Sequence, residues 1–113
     1  MTKTISVYLE DIINSIEHIQ RYTKNSTLRE FEKSEIIFDA VLRRFQVMGE
    51  ATKRIPIEFK QEHSEIPWSL ITGMRNVLIH DYDDINIERL WQTIYEDLSP
   101  LKKQLKDLLK TFS

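Results

Sequence analysis

From Ile5 to Ile19 the apolar side chains stand at Ile5, Tyr8, Leu9, Ile12, Ile13, Ile16 and Ile19, in steps of three and four. A period of about 3.6 residues puts all of them on one face, so residues 4–22 are predicted to form a long amphipathic helix. Thr2 or Thr4 can cap it. Such a face needs an apolar partner, and the following sequence offers one. Ser34 is a predicted N-cap for a second long helix, on which Ile37, Val41, Met48, Ala51 and Ile55 form a stripe with Phe38 and Phe45 beside it. The stretch TKNST between them breaks the pattern, and a short turn is expected around Thr27–Glu32. Gly49 lies inside the second helix, where glycine costs about 1 kcal/mol relative to alanine. It marks either a close helix–helix approach or a tolerated weak spot.

Pro56 ends this helix or starts a short one, PIEFKQEH. Pro67 suits the first position of the next helix, PWSLITGMRNVLIH. DYDDIN is polar and turn-like, and Asn86 can cap a helix running from Ile87 to about Leu98. Pro100 is expected to open a last helix, with Leu101, Leu105, Leu108 and Leu109 on its apolar side. Two glycines and three prolines among 113 residues are too few for the turns of a β-sandwich. The expected fold is all-α: a single domain, residues 1–113, built as an antiparallel bundle of four to five helices.

Several function classes drop out on composition. Cysteine is absent, which excludes disulfides and thiolate–metal sites and fits the reducing cytoplasm, the expected location. Glu10 and Asp11 interrupt the N-terminal region before any long apolar run, so it does not read as a signal peptide. Net charge is −2 and the pI about 5.9; nucleic-acid contact must therefore come from a local cluster and not from an overall basic surface. Two isolated glycines cannot build a phosphate-binding loop. No His-Glu-x-x-His or Glu-x-x-His spacing occurs, so no metal or cofactor is expected. His18, mid-helix, and His63, in a polar turn, read as surface or structural residues. Lys102, Lys103, Lys106 and Lys110 read as a solvated face.

The stretch MRNVLIHDY, residues 74–82, is different. On an unbroken helix of about 100° per residue, Arg75 and His80 lie about 140° apart. They can converge if the helix ends near His80, as DYDDIN suggests. A histidine at a helix end can simply satisfy free carbonyls, with Arg75 paired to Asp81 or Asp84. The same residues also match the needs of metal-free RNA cleavage. That reaction requires a base for the ribose 2′-hydroxyl, an acid for the departing 5′-oxygen, and a fixed cation for charge on the phosphoryl oxygens. Histidine transfers protons near neutral pH, and the arginine fork matches two phosphoryl oxygens without losing its proton. Asn76 can orient the phosphate or the 2′-hydroxyl. One chain holds only one such pair, and a two-fold dimer would bring two of each into one cleft.

Arg75 to Tyr82 reads R-x4-H-x-Y and resembles the motif of HEPN-superfamily toxins of the HepT type. AVLRRFQVMGEATKRIP (40–56) is similar to that family's A-x-x-R…GEA helix, IPWSLITGMRN (66–76) to its motif-bearing helix, and LWQTIYEDLSPL (90–101) to the segment that follows. The resemblance covers roughly residues 5–110. R-x4-H alone is a weak pattern; with Tyr82, Gly49-Glu50-Ala51 and Ile66-Pro67-Trp68 in order it is specific. The resemblance implies a homodimeric HEPN-type helical bundle acting as a metal-independent ribonuclease toxin of a type VII toxin–antitoxin system. It implies catalytic roles for Arg75 and His80, a supporting role for Asn76, and Tyr82 as the residue adenylylated by the antitoxin. That antitoxin would be an MntA-type nucleotidyltransferase, which uses ATP and Mg²⁺; the toxin itself needs no cofactor. Gly49 and Glu50 would serve packing or the dimer cleft.

A second reading, from another class, is a non-catalytic helical subunit that partners a minimal nucleotidyltransferase as scaffold or nucleotide-binding element. The Arg–His pair favours the ribonuclease, and the acidic pI favours the subunit. A bare dimerising bundle leaves the R-x4-H-x-Y set without a purpose.

Overall fold

The computed structural model describes residues 2–73 and 86–112. The first helix, α1 (Thr2–Thr23), carries Leu9, Ile12, Ile13, Ile16 and Ile19 into the core, while Ile5 and Tyr8 are half-buried against it. This is the stripe that the periodicity predicts. After α1 the chain reverses through Asn25, which takes φ 65°. Asparagine tolerates this left-handed conformation just beyond a helix better than most residues do. Thr23 closes the last turn by donating its hydroxyl to the Ile19 carbonyl (2.9 Å).

Thr27–Glu32 is more than the turn expected from sequence, because Leu28–Lys33 is helical, α2. A reciprocal cap starts it: Thr27 Oγ1 accepts from the Glu30 N–H (3.1 Å), and Glu30 Oε1 accepts from the Thr27 N–H (3.0 Å). Phe31 is fully buried, its ring centre 5.7 Å from Phe38 and 5.1 Å from Trp91. Ser34 then caps α3 (Glu35–Arg54) as predicted, its hydroxyl accepting from the Ile37 N–H (3.2 Å). Val41, Leu42, Phe45, Met48 and Ala51 are buried along α3. Among the described helices, α1 and α3 pack most extensively against each other.

Pro56 both follows the end of α3 and precedes a short helix, α4 (Ile57–Glu62). Residues 68–73 are again helical, α5, beginning one position after Pro67. Asn86 caps α6 (Ile87–Glu96) through its side-chain oxygen, which accepts from the Arg89 N–H (3.0 Å). Leu98–Lys110 form α7, with Leu98, Leu101, Leu105 and Leu108 buried. This corrects two expected boundaries: α6 stops before Leu98, and the last helix does not open at Pro100. Pro100 sits in the first turn of α7, where a missing N–H removes no intrahelical bond.

Three contacts fix the direction of α7 against α1. Gln20 donates to Ser99 Oγ (3.1 Å), Lys102 donates to Gln20 Oε1 (2.8 Å), and Lys106 pairs with Glu17 (3.2 Å). Across these contacts the α7 positions rise from 99 to 106 as the α1 positions fall from 20 to 17, so the two helices run antiparallel. The described residues thus give an all-α bundle. Four helices are long, and the six-residue α2 and α4 raise the number above the four or five expected. No described helix is long and apolar enough to cross a membrane.

Candidate active site

Arg75, Asn76, His80 and Tyr82 lie outside the described residues, and so does the turn-like DYDDI before Asn86. What the structure places is the ground on either side of them. On the N-terminal side, Pro67 and Trp68 redirect the chain into α5. The Trp68 N–H donates to the Ile66 carbonyl (2.8 Å), and the indole Nε1–H donates to the His63 carbonyl (3.0 Å). Ile66 and Ile71 are buried, and Thr72 donates its hydroxyl to the Trp68 carbonyl (3.2 Å). Helix α5 is therefore tied to the core through Trp68 and Ile71. On the C-terminal side the Asn86 cap fixes the start of α6, and Leu90, Thr93 and Ile94 anchor that helix in the core.

Between α4 and α5 lies an open groove of about 660 Å³. Its apolar wall comes from Ile57, Ile66, Pro67 and Trp68. Lys60, Gln61, Ser64, Ser69 and Thr72 give it polar groups, and Gly73 also lines it. Lys60 is held in place: its ammonium donates to the Thr52 carbonyl in the last turn of α3 (3.2 Å). Gln61, Ser64 and Ser69 make no side-chain hydrogen bond within the described residues. A Cβ built on Gly73 would meet nothing within 4 Å.

No sequence pattern signals this groove, because α4 and α5 contribute to it from either side of the 63–67 bend. Gly49 is buried on α3 and Glu50 is exposed. His18 and His63 have structural surroundings. A ring nitrogen of His18 lies 2.6 Å from the Asn14 carbonyl, and its ring meets Tyr22 edge-on. His63 lies with its ring centre 4.5 Å from that of Phe59 and with Nδ1 3.6 Å from Glu65. Among the described residues, no group of three or more histidine, aspartate or glutamate side chains could hold a metal ion.

Comparison with known proteins gives these flanks a context. A family model described as "Ribonuclease HepT-like" matches residues 12–108. A probable ribonuclease HepT from Thermococcus cleftensis is 38% identical over 110 residues, covering 97% of this chain and 100% of that protein. A putative RNase from Caldanaerobacter subterraneus subsp. tengcongensis is 37% identical over 108 residues, 96% of each chain. A gamma-glutamylcyclotransferase and putative RNase from Methanocaldococcus jannaschii is 36% identical over 110 residues; the match takes in 97% of this chain but spans only 50% of that protein. No solved structure matches the chain.

Proposed function

The chain belongs to the HepT-like ribonuclease family, and from that premise we propose that it is the ribonuclease toxin of a toxin–antitoxin pair. One observation carries the reading: the family match over residues 12–108 encloses an R-x4-H-x-Y set, Arg75 to Tyr82, with every position of the motif filled. The reaction assigned to it is attack of a ribose 2′-oxygen on the adjacent phosphorus. The O2′–P bond forms and the P–O5′ bond breaks. One His80 takes the 2′-proton, and the His80 of a second copy gives a proton to the departing 5′-oxygen. Arg75 neutralises charge growing on the non-bridging oxygens, and Asn76 orients the phosphate or the 2′-hydroxyl. Both proton transfers and the charge stabilisation are then supplied by side chains, so the reading requires no metal. It does require a homodimer, because each chain brings one motif histidine.

The cognate partner in this reading is an MntA-type nucleotidyltransferase that adenylylates Tyr82 with ATP and Mg²⁺. The deciding experiment expresses wild type and His80→Ala with and without that partner, scored by growth and RNA integrity. The toxin reading expects growth arrest and RNA breakdown only for wild type expressed alone. Intact RNA in that arm would favour the non-catalytic subunit, for which the acidic pI of about 5.9 speaks.

A further inference from the structure

We propose that the groove between α4 and α5 holds one unpaired nucleotide of the RNA substrate beside the site of cleavage. This rests on the ribonuclease reading above. Proteins that read single-stranded RNA take splayed bases onto apolar or aromatic surfaces and hydrogen-bond their edges. The groove offers both halves of such a site. Its volume of about 660 Å³ falls within the range of roughly 300–1,000 Å³ typical of small-molecule sites. Its apolar side is formed by Ile57, 62% exposed, and the half-buried Pro67, with only small exposed edges of Ile66 (2%) and Trp68 (9%).

The polar side chains are the kind that read base edges. Gln61 presents a donor and an acceptor on one amide, and Ser64 and Ser69 present hydroxyls. All three are exposed and without a side-chain hydrogen bond among the described residues. Lys60, tethered to the Thr52 carbonyl, places a cation at the groove for a neighbouring phosphate. Position gives the last argument. Gly73 lines the groove, Arg75 follows it by two residues, and two residues of chain span at most about 7 Å. The groove therefore ends within two residues of chain from the motif arginine.

The test uses the fluorescence of Trp68. The chain has two tryptophans, so Trp91→Phe isolates the one in the groove. Nucleoside monophosphates of the four bases are titrated into this protein. Saturable quenching is expected, with unequal affinities among the bases. Ser69→Leu, a change at an exposed helical position that fills the groove, is expected to weaken binding about tenfold or more, with circular dichroism confirming the fold. Gln61→Ala is expected to alter the order of preference among the bases. Failure of the groove and failure of the ribonuclease reading give different results. RNA cleavage by wild type with no quenching by any nucleotide overturns the groove assignment alone. Quenching that Ser69→Leu abolishes, with RNA left intact by wild type, upholds the groove and overturns the nuclease. If Ser69→Leu binds nucleotides as wild type does but releases the nucleotidyltransferase, the groove is a protein-docking surface and the proposal is wrong.

Discussion

The indole N–H of Trp68 donates to the backbone carbonyl of His63 across 3.0 Å, and the same carbonyl accepts from the Ile66 N–H at 3.2 Å. Two donors on one oxygen tie the bend at residues 63–67 to the first residue of α5, the helix that leads toward Arg75. Trp68 is 9% exposed, and the bond is partly buried. Trp68→Phe keeps an aromatic ring but removes the donor and shrinks the side chain. One lost hydrogen bond is worth about 1 kcal/mol, and the space left by the smaller ring adds to the loss. A destabilisation of roughly 1–3 kcal/mol is expected in urea denaturation, with an unchanged m-value. An unaltered midpoint would show that the bond does not hold the bend.

Ser15 offers the opposite case. It is 1% exposed on α1, and its hydroxyl has no hydrogen-bond partner among the described residues. A buried hydroxyl left unpaired costs about 1–3 kcal/mol against its solvated state, and alanine is also the better helix former. Ser15→Ala is therefore expected to leave thermal stability unchanged or raise it by about 1 kcal/mol. A fall of that size instead would mean that the hydroxyl has a partner, such as a trapped water.

Periodicity made the long helices legible because it repeats. The stripe from Ile5 to Ile19 crosses about four turns of α1, and each added turn strengthens the same pattern. Ser34 and Asn86 were legible because a cap is local: the side chain bonds a backbone N–H three residues on. Helix α2 was not legible by periodicity, since six residues bury only Phe31. Its Thr27-x-x-Glu30 capping box was the available signal. Pro100 misled for a related reason, because proline is acceptable anywhere in a first helical turn and does not mark the opening residue. The R-x4-H-x-Y set could be read as chemistry because its residue types are close in sequence. The groove could not, because its polar lining is ordinary surface residues until the bend at Pro67 brings α4 and α5 together.

Arg75 and His80 are both expected to be required for RNA cleavage. Each supplies something the other lacks, proton transfer in one case and permanent positive charge in the other. General acid–base catalysis contributes roughly 10²–10⁴-fold, so Arg75→Ala and His80→Ala should each nearly abolish cleavage while keeping the far-UV dichroism of wild type. Activity is expected to survive EDTA. Purified, folded His80→Ala cutting RNA at the wild-type rate would remove histidine from the mechanism.

If the cleft is shared between two copies, defects on different chains can complement. Light scattering is expected to show a dimer at working concentration. Arg75→Ala and His80→Ala chains, each nearly inactive alone, are mixed after denaturation and refolded together. Cleavage is expected to recover in part and to stay well below wild type, because the mixed dimer regains one arginine for the phosphate and one of the two histidines, which leaves the other proton transfer to water. A strictly monomeric species with full activity would refute the composite site, whatever the mixing result.

Tyr82 is the residue for which the cleavage reaction itself has no use. A tyrosine can simply pack its ring and bond its hydroxyl, and nothing in the cleavage step demands more of it. Its place two residues after His80 gives it another use. An adenylyl group on its phenol adds a phosphodiester charge and a nucleoside close to groups chosen for an RNA phosphate. The charge competes for Arg75, and the nucleoside obstructs entry, as other charge-adding modifications do. Incubation with the nucleotidyltransferase, ATP and Mg²⁺ is expected to raise the mass by whole AMP units and to silence cleavage. Tyr82→Phe is expected to lose both effects while keeping much of the activity, since phenylalanine preserves the ring and removes only the acceptor oxygen. The same variant should remain toxic when the partner is co-expressed. If Tyr82→Phe still gains AMP and is still silenced, the modified residue lies elsewhere. If it gains none yet is silenced in the complex, occlusion by the bound partner is the inhibitory mechanism in place of the tyrosine switch.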